Sequence, residues 1–270
     1  MNKNKLTLVC TSNDRYIKPL LAFLESIHKN SRDINIVARL VNVSSQNVDY
    51  IKMTYPDVEI IPDNVSLSDK RDIVNADATK RSVNDLITRK DNIGGFKGVG
   101  WLYSQEASYC SNIKYNTIKQ LLDEDYSHVV YMDVDTIVRK NITSLIDDTK
   151  GYDLGMFICE DERETEVTYY NEPYEGWHAG LIYINNTKMS REFITCVESR
   201  VNNNLYDIEA DEDEFSYVYK RTDHISIKEL SKYYKDAGPK FDKKSAVWSG
   251  QQEIKHTNEQ YIEEFEKYVI

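Results

Sequence analysis

Cysteine, proline and glycine are scarce in this chain of 270 residues, which contains 4, 5 and 10 of them. The cysteines are widely spaced and form no Cys-x-x-Cys pair, so neither a zinc knuckle nor a disulfide framework is indicated. No linker rich in proline, glycine or serine divides the chain, and no internal repeat is present. We therefore expect one continuous domain over residues 1–270, with reduced thiols.

Long apolar runs and an excess of basic charge are also missing. The apolar run at residues 6–10 is too short for a signal-peptide core, and no stretch approaches the roughly 20 apolar residues of a membrane span. These absences predict a soluble, cytoplasmic protein. Lysine and arginine total 34 against 45 acidic residues, and the net charge of −11 argues against broad binding of nucleic acid or anionic membranes.

Apolar runs alternate with helix-like spacings in the first part of the chain. The predicted elements are, in order, a strand at residues 6–11, a helix carrying Leu20, Leu21, Leu24 and Ile27, a strand at 34–43, a helical turn at 48–53 and a strand at 58–61. Asn13 or Asp14 is placed to cap the first helix. This alternation predicts an α/β fold with a mostly parallel sheet flanked by helices, although the glycine fingerprint of dinucleotide-binding enzymes is missing.

The pattern resumes after a charged segment and a glycine-rich loop. The charged segment at residues 70–90 could be helical, and four glycines lie between residues 94 and 100. Further predicted elements are a helix at 105–122, strands at 128–132, 154–159 and 181–185, and helices at 193–201, 211–219 and 259–269. Their order extends the predicted α/β architecture over the rest of the chain.

The most informative segment is His-Val-Val-Tyr-Met-Asp-Val-Asp at residues 128–135. An apolar strand ends at Met132, and Asp133 and Asp135 follow at its carboxyl end, where open α/β sheets bind their ligands. Two such carboxylates can face the same side, and a divalent cation relieves their repulsion; oxygen ligands favour Mg²⁺ or Mn²⁺, which keep positions open for phosphates. A turn whose side chains bond backbone amides is the alternative. The apolar strand before the pair favours the metal site.

The sequence YMDVDTIVRKNI at residues 131–142, with the helix and strand before it, resembles the core of GT-A-fold glycosyltransferases. Within that group it is most similar to the family of glycogenin and bacterial galactosyltransferases. The resemblance implies a single GT-A domain, with a nucleotide-sugar-binding half at residues 1–140 and an acceptor-binding half at 141–270. It also implies transfer of a sugar from a nucleotide-diphosphate donor, a UDP-sugar, to the hydroxyl of a glycan, a protein or a small molecule.

The same resemblance assigns residues to the donor. In that family the end of the first strand holds the nucleotide, which implies this role for Thr11, Asn13 and Tyr16. A basic residue upstream of the two aspartates helps to hold the donor, and Lys114 is the match. The metal on Asp133 would complete the donor site.

A third metal ligand is implied near the C-terminus, where the family supplies a histidine and His256 is the match. A surface or core histidine is the alternative for His256. The family usually continues with a glycine and then Lys-Pro-Trp, which clamps the diphosphate, whereas residues 257–259 here are Thr-Asn-Glu. Lys243, Lys244 or Lys255 could replace that clamp.

The implied chemistry is the departure of a diphosphate from the sugar. A divalent ion on Asp133 and Asp135 would neutralise the charge that develops on the leaving group, which makes Asp135 part of the catalytic centre. If transfer inverts the anomeric configuration, a carboxylate base is needed near the acceptor. The acidic run at residues 211–214 offers one, and we select Asp213. The alternative is a solvated acidic helix start stabilised by the helix dipole.

The aspartate pair allows two other interpretations. The segment also resembles the motif of haloacid-dehalogenase phosphatases, in which the first aspartate, here Asp133, is a nucleophile. That motif normally follows the first strand of its fold, whereas three predicted strands precede Asp133. A non-catalytic carbohydrate-binding relative is the non-enzyme alternative, and it predicts no cation-dependent binding of nucleotides.

Overall fold

A computed structural model of the chain describes residues 1–67, 71–73, 102–158, 176–207, 210–251 and 254–269, with side chains omitted at 71–73 and 102–104. The described strands are β1 (Leu6–Asn13), β2 (Asn35–Val41), β3 (Val58–Asp63), β4 (Arg71–Ile73), β5 (Leu102–Ser104), β6 (His128–Met132), β7 (Thr136–Val138), β8 (Leu154–Ile158), β9 (Trp177–Asn185), β10 (Ile227–Glu229) and β11 (Val247–Ser249). The described helices are α1 (Ile17–Asn30), α2 (Ser45–Thr54), α3 (Gln105–Asn112), α4 (Lys114–Asp123), α5 (Leu145–Asp148), α6 (Lys188–Val201), α7 (Ala210–Tyr219), α8 (Ile254–Thr257) and α9 (Glu259–Glu266).

Seven strands form the main sheet in the order β10-β8-β9-β6-β1-β2-β3. The run from β6 to β3 is parallel throughout, while β9 is antiparallel to both of its neighbours, β6 and β8. Because β9 runs against β6, the start of β9 lies beside the end of β6. This places the segment around Gly180 next to Asp133, whose backbone N–H donates to the Gly180 carbonyl at 3.1 Å.

Both faces of the sheet are buried, which explains the apolar strands. In β1, Leu8 and Cys10 belong to the core that contains α1, while Val9 belongs to the core that contains α4 and α6. In β6, Met132 and Tyr131 divide between the same two cores. Strands covered by helices on both sides are continuous apolar runs rather than alternating ones.

A small second sheet joins the C-terminal part of the chain to the turn after β6. Strand β11 pairs antiparallel with β7, with Ser249 opposite Thr136. The rings of Phe241, Trp248 and Tyr261 pack together behind this pair. The C-terminal segment is thereby held against the two aspartates.

The predicted α/β class is confirmed, and the predicted elements that fall on described residues are present with shifted ends. The helix predicted at 105–122 is two helices, α3 and α4, separated at Ile113. Asn13 caps a short 3₁₀ helix, Asp14–Tyr16, by accepting from the N–H groups of Arg15 and Tyr16. The helix predicted at residues 70–90 lies outside the described residues, and none of the described helices has the length and apolar character needed to cross a membrane.

Candidate active site

The two aspartates occupy the turn between β6 and β7, at the carboxyl end of the parallel strands. Val134 between them is buried, whereas Asp133 and Asp135 are partly exposed. The Tyr131 hydroxyl donates to Asp133 Oδ1 at 3.0 Å. Burial and the charge of Asp133 hold the pKa of Tyr131 well above its usual value, so the phenol stays a hydrogen-bond donor.

Asp133 has a buried lysine as its neighbour. Lys235 is 3% exposed, and its side chain reaches Gly180. A Cβ atom on Gly180 would lie 2.3 Å from Asp133 Oδ2 and 2.4 Å from Lys235 Nζ, so a larger residue there would require these side chains to move. Burial lowers the pKa of Lys235, although the charges of Asp133 and Asp135 act in the opposite direction.

The position of Lys235 is set by its neighbours in the chain. The hydroxyl of Tyr234 donates to Asp148 Oδ2 at 2.5 Å. Asp236 is fully buried and accepts from the Ser245 hydroxyl at 2.9 Å and from the Asp242 N–H at 2.7 Å. Both flanking residues are thereby anchored, which holds the main chain at Lys235 while its side chain extends to Gly180.

Asp135 is held by the C-terminal segment. Lys255 Nζ lies 2.7 Å from Asp135 Oδ2. The Asp135 carbonyl accepts from the Gly250 N–H at 2.7 Å and from the Tyr261 hydroxyl at 2.8 Å. Burial lowers the pKa of Lys255, but the ion pair with Asp135 outweighs burial and the net shift is upward.

Lys255 also contacts the predicted nucleotide end of the site. Its ammonium is 3.3 Å from the Tyr16 hydroxyl and 5.0 Å from the centre of that ring. Thr11 is buried, and its hydroxyl has no hydrogen-bond partner among the residues that the structure describes. Asn13 uses its side-chain oxygen as the cap of the 3₁₀ helix. The structure therefore brings Tyr16 and Asp135 to one lysine, and it places Thr11 and Asn13 at the end of β1.

Lys114 is buried beneath the site. Its side chain is 1% exposed, and Nζ donates to Asp211 Oδ2 at 2.7 Å and to the Ala179 carbonyl at 2.9 Å. Burial lowers the pKa of Lys114, but Asp211 and Asp133 raise it more. The Lys114 ammonium thus ties α7 to β9 beneath the site, and its predicted role in holding the donor stays a prediction.

The four acidic residues at 211–214, at the start of α7, lie in different surroundings. Asp211 pairs with Lys114, Glu214 pairs with Arg200 at 2.5 Å, and Asp213 is 3% exposed. Glu212 is the member beside β9: its Oε1 accepts from the Ala179 N–H at 3.0 Å and lies 3.6 Å from His178 Nδ1. Glu212 therefore contacts the start of β9, while Asp213, the predicted base, is buried in α7.

His178 is a neutral neighbour of this carboxylate. Burial lowers its pKa well below the usual value, and the charges of Lys235 and Lys114 lower it further. The backbone N–H of Gly180 donates to His178 Nδ1 at 3.3 Å. Because that nitrogen is an acceptor, the ring remains uncharged beside the two lysines.

His256 is not brought to the aspartates. It is exposed on α8, the residue after Lys255. Within the described ranges, no three histidine, cysteine, aspartate or glutamate side chains are arranged to hold a metal ion. In addition, the Lys255 ammonium occupies Asp135 Oδ2, and Lys235 lies beside Asp133. The residues present therefore do not fit the predicted Mn²⁺ or Mg²⁺ site in this arrangement.

A mostly parallel sheet with paired aspartates after a central strand defines the class of GT-A glycosyltransferases. The family model described as Glycosyl transferase family 8 matches residues 7–207, so the chain belongs to this family. It is a glycosyltransferase, which confirms the predicted fold and class of enzyme over the phosphatase alternative. No curated protein matches the chain significantly.

Solved structures of glycosyltransferases share the fold. The bifunctional glycosyltransferase WbbM superimposes with a TM-score of 0.61 at 14% identity, over 100% of this chain but only 50% of WbbM. An active-site mutant of LgtC gives 0.57 at 15% identity, covering 97% of this chain and 95% of that one. GlyE of Streptococcus pneumoniae TIGR4 gives 0.57 at 11% identity, covering 99% and 62%.

Lys235 and Glu212 are the site residues that sequence reasoning missed or passed over. Lys235 lies in an irregular segment without a motif, so no local signal distinguishes it from the other lysines. In the sequence, Glu212 is one of four consecutive acidic residues at 211–214, and nothing local distinguishes it from the others. Three lysines could replace the diphosphate clamp. Lys255 pairs with Asp135, whereas Lys243 and Lys244 are exposed.

Proposed function

We propose that this glycosyltransferase moves a sugar from a nucleoside-diphosphate donor, with uridine as the base by the resemblance, to an acceptor hydroxyl. Its centre is the corner formed by Asp133, Asp135, Lys235, Lys255 and Glu212. The acceptor class that we propose is a glycan, a protein or a small molecule with a free hydroxyl.

One contact carries the proposal. Lys255 Nζ lies 2.7 Å from Asp135 Oδ2 and 3.3 Å from the Tyr16 hydroxyl, so it connects the aspartate corner with the ring at the end of β1. A nucleoside diphosphate that places its base near Tyr16 would direct its phosphates toward this ammonium. Lys255 thus fits the role of the missing Lys-Pro-Trp clamp.

The corner fits the departure of a diphosphate. As the anomeric carbon becomes cation-like, negative charge grows on the leaving group. Ammonium groups fixed in a partly desolvated site stabilise that charge without reorganising. Lys255 and Lys235 are placed for this task, whereas Lys114 holds Ala179 and Asp211 in position beneath it.

A carboxylate is available for the acceptor side. Glu212 is fixed by the Ala179 N–H at 3.0 Å, close to the end of β6. In an inverting transfer it would accept the proton of the attacking hydroxyl, a contribution that typically amounts to about 10²–10⁴ in rate. Asp213 stays the second candidate for this role.

Donor hydrolysis and transfer with a panel of UDP-, GDP- and TDP-sugars test the proposal, with each donor assayed with and without Mn²⁺ or Mg²⁺. We expect turnover with a UDP-sugar and its loss in Asp133→Asn. The matched control is Asp123→Asn, an exposed aspartate on α4 that pairs with Lys119. Full turnover in folded Asp133→Asn would contradict the assignment of the site.

A further inference from the structure

Lys235 lies in an irregular segment, and its side chain is buried beside Gly180 of β9. It is 3% exposed, and it makes no hydrogen bond or ion pair with the part of the chain that the structure describes. Burying an ammonium is costly unless nearby charges or a bound ligand compensate it. The charges that act on it are those of Asp133, Asp135 and Glu212, together with the like charge of Lys114.

Lys235 lies beside Asp133, the residue to which the resemblance assigns a metal ion. Asp133 Oδ2 and Lys235 Nζ both approach Gly180, where a Cβ would contact them at 2.3 and 2.4 Å. The second ammonium, Lys255 Nζ, forms an ion pair with Asp135 Oδ2 at 2.7 Å. Each aspartate of the pair thus has a lysine beside it.

The charges balance as they would with a metal. Two carboxylates with one divalent ion sum to zero, and two carboxylates with two ammonium groups sum to zero as well. An ammonium offers three N–H donors to phosphate oxygens and serves phosphate as a point charge. The hydrogen bonds of Tyr234 and Asp236 hold the main chain on both sides of Lys235, and its side chain is buried, so few arrangements are open to the ammonium before a ligand binds.

We propose that Lys235 and Lys255 together supply the positive charge that neutralises the donor diphosphate, so that this enzyme binds and uses its donor without a divalent metal ion. The inference rests on the proposed function, because it concerns the same diphosphate. In this proposal, the side chains of Lys235 and Lys255 do the work of the metal ion that the resemblance implies on Asp133 and Asp135.

Calorimetric titration of the full chain with nucleoside diphosphates tests the proposal. UDP, ADP, GDP, CDP and TDP are each titrated in EDTA and again in Mn²⁺. We expect one of them to bind with the same affinity in both buffers. Lys235→Met and Lys255→Met should each weaken that binding by about tenfold or more, because each removes a charged hydrogen-bond donor to phosphate. Lys243→Met, an exposed lysine of the same C-terminal region, is the control and should bind as the native chain does.

The outcomes separate the two proposals. Binding of the native chain that disappears in EDTA and returns with Mn²⁺ overturns metal independence while supporting the proposed function. Binding that is insensitive to EDTA but unaffected in both lysine variants also overturns it. If no nucleoside diphosphate binds in either buffer, the proposed function fails and this inference fails with it. Should Lys235→Met not fold, the EDTA comparison on the native chain and the partly exposed Lys255 still decide.

Discussion

The ammonium of Lys255 lies 2.7 Å from Asp135 Oδ2, and these residues are 120 positions apart in the chain. The ion pair connects α8 with the turn after β6, and the Tyr261 hydroxyl donates to the carbonyl of the same aspartate at 2.8 Å. The C-terminal segment therefore completes a site whose aspartates come from the central sheet. Each of the following predictions concerns one part of that arrangement.

Replacing Tyr261 by phenylalanine tests the attachment of the C-terminal segment. The change removes the hydrogen bond to Asp135 O and leaves the ring packed, so we expect the free energy of unfolding to fall by about 0.5–1.5 kcal/mol. Urea unfolding measures it. Tyr206→Phe, at a ring that is 49% exposed, is the control and should leave stability unchanged. Equal stability of the two variants would show that the hydroxyl contributes nothing.

Gly180→Ala tests the close approach at the corner. The new methyl would meet Asp133 Oδ2 at 2.3 Å and Lys235 Nζ at 2.4 Å, so both groups must move. We expect nucleoside-diphosphate binding to fall at least about tenfold in a folded protein, because the phosphate contacts are displaced. Gly238→Ala is the control, since its methyl would meet nothing closer than the flexible Lys232 Nζ at 3.3 Å. Native affinity in Gly180→Ala would argue that the corner does not bind phosphate.

Glu212→Gln and Asp213→Asn distinguish the two carboxylates. Both changes keep the side-chain size and remove the charge. If Glu212 is the base, its variant should lose about 10²–10⁴ in turnover at unchanged donor affinity, while Asp213→Asn stays active once folded. Turnover and donor affinity are measured separately. The reverse pattern would restore Asp213 to the role that the sequence predicted.

Acid sensitivity is expected from Asp153. Burial raises the pKa of Asp153, but hydrogen bonds from Thr187 and Ser226 outweigh burial and hold the pKa below its ordinary value of 3.8. A lowered pKa contributes stability that is complete above the unfolded value and is lost as the pH falls through the folded one. The deficit of Asp153→Asn relative to the native chain should therefore be present at neutral pH and shrink below pH 3.8.

Urea unfolding at a series of pH values measures this dependence. Exposed Asp123 provides the control, because Asp123→Asn removes a surface carboxylate that pairs with Lys119. A deficit in Asp153→Asn that stays constant over the acid range would contradict the assignment.

Much of the fold follows from local sequence patterns. Apolar strands such as β1 and β6 are buried on both faces, so their residues form short continuous runs that mark them without any tertiary information. The pair Asp133 and Asp135 stands directly after such a run, which indicated the binding edge of the sheet. The pattern at residues 105–122 predicts one helix where the structure has two, because the break at Ile113 leaves the apolar spacing of α3 and α4 nearly continuous.

The composition of the site depended on contacts between distant residues. The pairing of β9 with β6 brings Gly180 to Asp133, and the pairing of β11 with β7 brings Lys255 to Asp135. Register and long-range pairing are set by the packing of the whole sheet, so a sequence pattern of a few residues does not contain them. For the same reason, the sequence around Lys114 and Lys235 does not show which of these lysines lies beside the aspartates. Packing alone decided that one ties helix to strand beneath the site, while the other meets the aspartates.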